Sequence, residues 1–154
     1  MAEHLSVAKQ LADTCLLMYT KFNIAPESVS FSPSGMDIAN GNNFQRPETA
    51  ESLYLLWRVT GERRYREAGW TVFRKIEQFL KVDGGYTSLL NVSSDPSPSN
   101  RIDKMESFLL AEAFKYLYLM FVDDNSAADR DKINLRRYVF NTEAHPLPPS
   151  TSVE

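Results

Sequence analysis

Two glutamates at the start of one predicted helix are the first residues whose type and spacing suggest chemistry. Glu48 and Glu51 lie three positions apart, directly after Pro47, so their carboxylates share one face of a helix. Acidic residues in a first turn complement the helix dipole, and this is their ordinary role. Two carboxylates beside a long loop can also bind a hard cation or activate water. The residues leave both interpretations open.

A third glutamate, Glu112, lies in a strongly apolar stretch, since four apolar residues precede it and two follow it. We expect its carboxylate to face water, a cation or a pocket, because burying a charge without a partner is costly. In one interpretation it belongs to a solvated stripe with Lys104 and Lys115, and Lys115 is placed for an i,i+3 ion pair. In the other, the carboxylate of Glu112 faces a cation or a pocket. Phe108 lies one turn earlier on the same face, and an aromatic ring beside a carboxylate suits a sugar ring, although a phenylalanine in the core is the commoner case.

Thr142, Glu143 and His145 bring a hydroxyl, a carboxylate and an imidazole together near the C-terminus. His145 precedes a proline in a loop, where a single histidine is usually structural or simply exposed. The sequence contains no glycine-rich phosphate loop, nucleophile elbow or histidine-rich metal motif. The residues alone therefore indicate a helical domain with a candidate acidic site.

Two further features carry chemistry that depends on the cell compartment. Asn91-Val92-Ser93 matches the N-glycosylation pattern, which matters only in a secretory protein and is frequent by chance. The single cysteine, Cys15, lies on an apolar helix face and is typical of a buried free thiol. One cysteine excludes a disulfide framework within the chain and a zinc site built from several thiolates.

The spacing of apolar residues predicts four helices that position these groups, over residues 5–22, 46–60, 62–80 and 103–121. Pro47 suits a first helical turn and Gly61 suits a left-handed cap. The second and third helices are joined by one short turn, so we expect them to be antiparallel neighbours. The remaining segments are predicted as loops over 25–45, 93–100 and 123–131, a small β-hairpin near 84–92 and an extended stretch over 138–140.

Length and composition fit one globular domain, with 154 residues, 43% of them hydrophobic and 24% charged. The net charge is −3 and no basic patch stands out, so we expect no nucleic-acid partner. Apolar runs are far shorter than the ~20 residues that span a bilayer, so we expect no membrane segment. The first residues also lack the pattern of a signal peptide. We expect residues 1–148 to fold and 149–154 to form a disordered tail.

Three segments taken together resemble the C-terminal part of the class I α-1,2-mannosidases, glycoside hydrolase family 47. They are RPETAESL at 46–53, DKMESF at 103–108 and YVFNTEAHPL at 138–147, with support from WRVTG at 57–61, GGY at 84–86 and KYLY at 115–118. The similarity covers nearly the whole chain up to Pro148 and keeps the family's order. Where family members usually have two leucines, this chain has Phe44-Gln45.

The resemblance implies a fold and an activity. The fold class would be all-α, with antiparallel helix hairpins that form part of an (α/α) barrel of seven hairpins with a calcium ion at its base. The activity would be that of a hydrolase, a calcium-dependent glycosidase that removes terminal α-1,2-linked mannose from high-mannose N-glycans with inversion. Such proteins act in N-glycan processing and glycoprotein quality control, in the endoplasmic reticulum, in the Golgi or outside the cell.

The resemblance also implies roles for single residues. Glu48 would be the general base that activates the attacking water, and inversion needs the two catalytic carboxyl groups roughly 6.5–9.5 Å apart. Thr142 would bind Ca²⁺ directly through its carbonyl and hydroxyl oxygens, as suits a hard cation. The waters that complete the calcium shell would be held by Glu48, Glu51, Glu112 and Glu143, and the substrate-binding residues would be Arg46, Phe108, Glu112 and Glu143. We expect Glu48, Glu51, Glu112 and Thr142 to converge in one cavity.

The family's proton donor and its other catalytic carboxylate lie in the N-terminal half, and no segment of this chain resembles that half. We therefore expect the 154 residues alone to be inactive. The partner would be that N-terminal half of the barrel, joined through a disulfide by Cys15, which resembles a cysteine that many members pair with an upstream partner. The alternative is a non-catalytic, mannosidase-like quality-control factor that binds glycans without cleaving them.

Overall fold

Four α-helices are the largest elements of this computed structural model, which describes residues 2–122 and 138–148. In the described ranges they are α1 (Ala2–Lys21), α2 (Glu48–Thr60), α3 (Arg63–Phe79) and α4 (Lys115–Phe121), and a π-helical segment, Leu109–Phe114, leads directly into α4. The four predicted helices are confirmed. The predicted loop over 123–131 and the predicted tail over 149–154 lie outside the described residues.

The fourth helix begins later than residue 103, where the periodicity placed its start. Backbone groups of the preceding segment bind to other parts of the chain instead of to a helical turn. The carbonyl oxygen of Lys104 accepts the backbone N–H of Ser88 at 3.1 Å, and the N–H of Glu106 donates to Oε1 of Gln45 at 3.0 Å. Residues 103–106 thus join the helix to the segment that precedes α2.

Eight short strands form four separate antiparallel pairs in the described residues. They are β1 (Ser28–Ser32) with β2 (Gly35–Asn40), β3 (Lys81–Val82) with β4 (Gly85–Tyr86), β5 (Ser88–Leu89) with β6 (Arg101–Ile102), and β7 (Val139–Phe140) with β8 (Pro146–Leu147). The chain is therefore helix-rich with small strand pairs, and the extended stretch predicted over 138–140 is confirmed.

One prediction about the connecting segments is wrong, the loop over 25–45, and the predicted small hairpin is confirmed with shifted bounds. Residues 25–45 contain the β1–β2 hairpin; its strands are mostly exposed on both faces, so they lack the alternation of apolar and polar residues that marks a strand. The hairpin expected near 84–92 lies at 81–86, and Gly84 takes a φ of 84° at its turn. Residues 93–100 are also more ordered than a plain loop, since they end in a 3₁₀ turn, Pro98–Asn100.

Helix α2 is the centre of the packing and contacts α1, α3 and the π-helical segment with α4. Its residues Leu53 and Tyr54 are fully buried, as are Tyr65 of α3 and Tyr116 of α4. Gly61 has a φ of 70° and its N–H donates to the carbonyl of Trp57 at 2.8 Å, so the predicted left-handed cap is confirmed. The cap lets α3 follow α2 after two residues and pack back against it.

None of the described helices combines the length and apolar character that crossing a bilayer requires.

Candidate functional site

Glu112 is the most unusual of the candidate residues because its carboxylate is buried, with only 7% of the residue exposed. It lies in the π-helical segment, a rare geometry that is often found at functional sites. Burial raises the pKa of Glu112, and the negative charges of Glu143, Glu48 and Glu51 raise it further, in that order. The solvated-stripe interpretation of Glu112 is therefore wrong. Four carboxylates from three parts of the chain share one region.

Lys115 is the cation beside this group of carboxylates. Its positive charge lowers the pKa of Glu112, whereas burial and the three neighbouring carboxylates raise it. Its Nζ also donates to the carbonyl oxygen of Ala144 at 3.1 Å. Lys115 thus ties the helix that carries Glu112 to the turn that carries Glu143.

The first turn of α2 supplies Glu48 and Glu51. Glu51 is half-buried, and its Oε1 accepts the hydroxyl of Tyr116 at 3.4 Å. Burial raises the pKa of Tyr116, and the charge of Glu51 raises it further, so this phenol stays a hydrogen-bond donor. Glu48 is exposed and lines a cavity of about 130 Å³ that Arg46 and Thr49 also line.

Thr142 and Glu143 project from the tight turn that joins β7 to β8. The Oδ1 of Asn141 accepts the backbone N–H groups of Glu143 at 3.0 Å and of His145 at 2.8 Å, so one side chain shapes the turn. Ala144 is fully buried and takes a φ of 55°. Thr142 and Glu143 are both exposed, so their oxygens are available to a ligand. The ring of His145 is exposed too and lies beside the side-chain amide of Asn141.

Arg46 is held at the edge of this region by Glu27. Its Nε donates to Oε2 of Glu27 at 2.6 Å, while Oε1 of Glu27 accepts the N–H of Phe44 at 3.1 Å. The hydrogen bond with Glu27 raises the pKa of Arg46. The arginine side chain is 55% exposed and the glutamate only 12%, so the buried carboxylate fixes the guanidinium where it can still meet a ligand.

Phe108 is half-buried and lies directly before the π-helical segment. The irregular segment before it, residues 103–106, is tied to the residues that precede α2 by Gln45, whose φ is 64° and whose Oε1 accepts the N–H of Glu106 at 3.0 Å. This contact joins the chain that precedes Arg46 to the chain that precedes Phe108.

Three residues that hold site residues in place were not predicted from the sequence. Glu27 lies in a segment predicted as loop, and no charge pattern pairs it with Arg46 across nineteen positions. Asn141 precedes Thr142 directly, and an asparagine followed by a turn was a signal that could have found it. Tyr116 looked like an ordinary core aromatic, and its hydroxyl partner Glu51 lies 65 positions away.

Chemically, the region offers hard oxygen donors and an excess of negative charge. The donors are four carboxylates together with the hydroxyl and carbonyl oxygens of Thr142. In residues 2–122 and 138–148, no group of three or more histidine, cysteine or acidic side chains could hold a metal ion. The charges of Glu48, Glu51 and Glu143 all act on Glu112, and Glu48 lines the cavity beside Arg46. The convergence of Glu48, Glu51, Glu112 and Thr142 in one cavity stays a prediction. The roles assigned to them stay predictions.

A family model described as glycosyl hydrolase family 47 matches residues 1–149, that is, the whole described structure. The chain belongs to glycosyl hydrolase family 47. The endoplasmic reticulum mannosyl-oligosaccharide 1,2-alpha-mannosidase of Homo sapiens is 43% identical over an alignment of 158 positions, gaps included, which covers 96% of this chain and 22% of the human protein. A mannosyl-oligosaccharide 1,2-alpha-mannosidase of Arabidopsis thaliana is 43% identical over an alignment of 169 positions, which covers 95% of this chain and 26% of that protein.

A solved structure, the alpha-1,2-mannosidase from Trichoderma reesei, matches this family 47 chain with a TM-score of 0.76 at 31% identity. The match covers 90% of this chain and 32% of the fungal one. The chain thus spans about a quarter of the length of the curated relatives named above and about a third of the fungal structure. The resemblance read from the sequence motifs is confirmed at the level of the family.

Cys15 of this family 47 chain is half-buried in α1. Burial raises the pKa of its thiol, and a hydrogen bond with the side chain of Thr49 lowers it in part. It is a free thiol in the described structure, and the disulfide with an upstream partner stays a prediction.

Proposed function

We propose that this chain is part of a calcium-dependent α-1,2-mannosidase that removes terminal α-1,2-linked mannose from high-mannose N-glycans with inversion. The single observation that carries the proposal is a buried glutamate, Glu112, under the charge of three further glutamates, in a chain that belongs to family 47. The relatives are named as mannosyl-oligosaccharide 1,2-alpha-mannosidases, and that substrate class is the one we assign here.

The donor set fits calcium. Ca²⁺ prefers carboxylate, hydroxyl, carbonyl and water oxygens, and all of the protein oxygens named above are of these kinds. We propose that Thr142 binds the ion directly and that Glu48, Glu51, Glu112 and Glu143 hold the waters around it. When bound, the ion would offset the excess negative charge and help to orient the sugar hydroxyls.

The residues of this chain would divide the remaining work. Glu48, exposed at the start of α2, would accept the proton of the attacking water. Arg46, fixed by Glu27, would hydrogen-bond the terminal mannose, and Phe108 would pack beneath its ring with help from Glu112 and Glu143. The helices would form part of a barrel of antiparallel hairpins, and the proton donor would lie on a part of that barrel outside the matched segments. The names of the relatives favour the secretory pathway, with the endoplasmic reticulum first.

Calcium binding can be tested on the chain itself by thermal unfolding. With Ca²⁺ at about 100 times its Kd, binding to the native state stabilises it by about 2.7 kcal/mol. For a chain of this size, that corresponds to a rise in Tm of roughly 5–10 °C. Glu112→Gln should lose most of the rise because it removes the buried charge, whereas Glu67→Gln, which changes an exposed glutamate of α3, should keep it. An equal Tm in Ca²⁺ and in chelator would contradict the proposed metal site.

Catalysis can be tested in a chimera. This chain would replace the matching segment of the human relative, and mannose release from a high-mannose N-glycan would be measured in Ca²⁺. We expect the chimera to release mannose and Glu48→Gln in the same chimera to lose about 10²-fold or more of the rate, the scale of a general base. The 154 residues alone should release none.

The same experiment separates the enzyme from the binding-only alternative, which the names of the relatives do not favour. Binding of the glycan should survive Glu48→Gln, so retained binding with lost turnover supports the enzyme. A folded chimera that binds the glycan and never cleaves it would support the alternative. Rapid mannose release by the isolated chain would refute the claim that the acid lies elsewhere.

A further inference from the structure

We propose that Asn91 is a site of N-glycosylation, in which its side-chain amide accepts an oligosaccharide from a lipid-pyrophosphate donor. Asn91-Val92-Ser93 is the only Asn-X-Ser/Thr triplet with X other than proline in the 154 residues. A triplet alone is weak because chance produces many. The structure adds three observations on described residues: the Asn91 side chain is exposed, an Asx turn closes over the triplet, and Asn100 holds its backbone in place.

The side chain of Asn91 is presented on the surface. Asn91 is exposed and so is Ser93, while Val92 between them is fully buried and anchors the triplet to the core. Ser94 and Asp95 follow and are exposed as well. A large polar glycan can therefore extend from this loop into solvent without displacing apolar packing.

The local geometry leaves the reacting nitrogen available. The Oδ1 of Asn91 accepts the backbone N–H of Ser93 at 2.9 Å, which closes an Asx turn over the triplet. This bond uses the amide oxygen and not the nitrogen, Nδ2. Within residues 2–122 and 138–148, no hydrogen bond from Nδ2 is found.

The loop is held firmly from below by Asn100, which is buried. The Nδ2 of Asn100 donates to the carbonyl of Asn91 at 2.9 Å and to that of Asp95 at 3.0 Å, and its Oδ1 accepts the N–H of Asn91 at 2.9 Å. The N–H of Val92 also donates to the carbonyl of Gly41 at 2.8 Å. The backbone groups of Asn91 and Val92 thus bind to other parts of the chain. The one hydrogen bond that the described structure gives the Asn91 side chain uses Oδ1, which a glycan on Nδ2 would leave in place.

The group transfer balances with the donor named. Nδ2 of Asn91 forms a bond to the anomeric carbon of the oligosaccharide, and the bond from that carbon to the pyrophosphate oxygen breaks. The lipid pyrophosphate leaves with the bonding electrons, and the amide nitrogen gives up one proton. The inference rests on the proposed function in one respect only, because the chain must enter the secretory pathway to meet the donor.

The test is mass spectrometry of the full chain, directed into the secretory pathway of a eukaryotic host by an added signal sequence. We expect an intact mass raised by an oligosaccharide, and a peptide N-glycosidase should remove it and leave aspartate at position 91. Ser93→Ala should abolish the modification and Ser93→Thr should keep it. Both variants keep the Asx turn, since its donor is the backbone N–H of residue 93. Ser94→Ala is the matched control and should be modified like the wild type.

An unmodified wild-type chain that is secreted and folded, as judged by circular dichroism, would overturn the inference. A modification that persists in Ser93→Ala would overturn it as well, because the sugar would then lie elsewhere. Neither result depends on calcium or on turnover. An unmodified Asn91 would therefore not change the result expected for the chimera. Likewise, a chimera that releases no mannose would not change the mass expected for the glycosylated chain.

Discussion

Glu77 of α3 illustrates how one carboxylate can hold a strand pair against a helix. Its Oε2 accepts the Nζ of Lys81 at 2.7 Å and its Oε1 accepts the hydroxyl of Tyr86, so it binds both strands of the β3–β4 hairpin. The hydrogen bond from Lys81, and then that from Tyr86, lower the pKa of Glu77. Burial, followed by the hydrogen bond to Glu77, raises the pKa of Tyr86 to about 12, so the phenol remains a donor at neutral pH.

Replacing Glu77 should therefore cost stability in a pH-dependent way. Glu77→Gln should lower the free energy of unfolding by about 1 kcal/mol at pH 7, the scale of a lost charged hydrogen bond near the surface. A carboxyl whose folded pKa is lowered stabilises fully above its unfolded pKa, about 4.3, and the effect disappears as the pH falls through the folded value. The difference between wild type and variant should be constant from pH 6 to 8 and shrink below about pH 4.

Urea unfolding over a pH series measures this difference. Glu67→Gln is the matched control, because Glu67 forms an exposed i,i+4 ion pair with Arg63 on the same helix, at 3.0 Å. Such a pair contributes about 0.5 kcal/mol or less. If the Glu77→Gln difference were as large at pH 3 as at pH 7, the carboxylate would not be its source.

At the scale of elements, the β7–β8 turn shows how a short segment positions oxygen ligands. Its backbone is closed by the N–H of Ala144 donating to the carbonyl of Asn141 and by the N–H of Asn141 donating to the carbonyl of His145, both at 3.0 Å. Ala144 and Gln45 are the two non-glycine residues with positive φ in the described structure, and they lie next to Glu143 and Arg46. A left-handed conformation at such residues costs of order 1–3 kcal/mol and tends to occur at functional sites.

Substitution of Ala144 tests this strain. Ala144→Val should lower the free energy of unfolding by roughly 2 kcal/mol, because a β-branched residue disfavours a φ of 55° and its extra methyl groups must enter a fully buried position. Ala144→Gly should be close to neutral, since relief of the φ penalty offsets the lost methyl burial. Thermal unfolding compares the two. A glycine variant as unstable as the valine variant would show that packing, not conformation, governs the turn.

The same scale shows what the sequence could predict and why. Pro47 and Gly61 made both ends of α2 predictable. A proline at the start of a helix and a glycine in a left-handed cap depend only on the neighbouring backbone. The β1–β2 hairpin was missed because its strands bury little more than Met36, so no alternating pattern records them. The burial of Glu112 was also hidden, because both the turn that carries Glu143 and the start of α2 reach it from distant parts of the chain. The convergence of the site followed from family resemblance, not from local pattern.

On the scale of the whole molecule, two apolar grooves are open to solvent in the described structure. The α1/α2 groove, about 360 Å³, is lined by Leu5, Ala8, Leu11, Ala12, Cys15, Ser52, Leu55, Leu56 and Val59. The α3/α4 groove, about 470 Å³, is lined by Trp70, Phe73, Phe114, Leu117, Tyr118, Phe121 and Val122. Leu11 is 62% exposed and Val59 71%. Helical periodicity can place apolar residues on one face of a helix, but it cannot say what covers that face.

Exposed apolar faces of this kind should make the chain self-associate when nothing covers them. Combining Leu11→Gln with Val59→Thr should reduce the concentration-dependent mass in sedimentation equilibrium and the binding of an apolar fluorescent dye. Because both side chains are largely exposed, the free energy of unfolding should change by about 0.5 kcal/mol or less. Leu53→Ala is the contrast: Leu53 is fully buried in the same helix as Val59, so this change should cost about 2–5 kcal/mol. If the paired surface substitutions destabilised the chain as much as Leu53→Ala, the α1/α2 groove would be part of its own core and not a face left open for other helices of the proposed barrel.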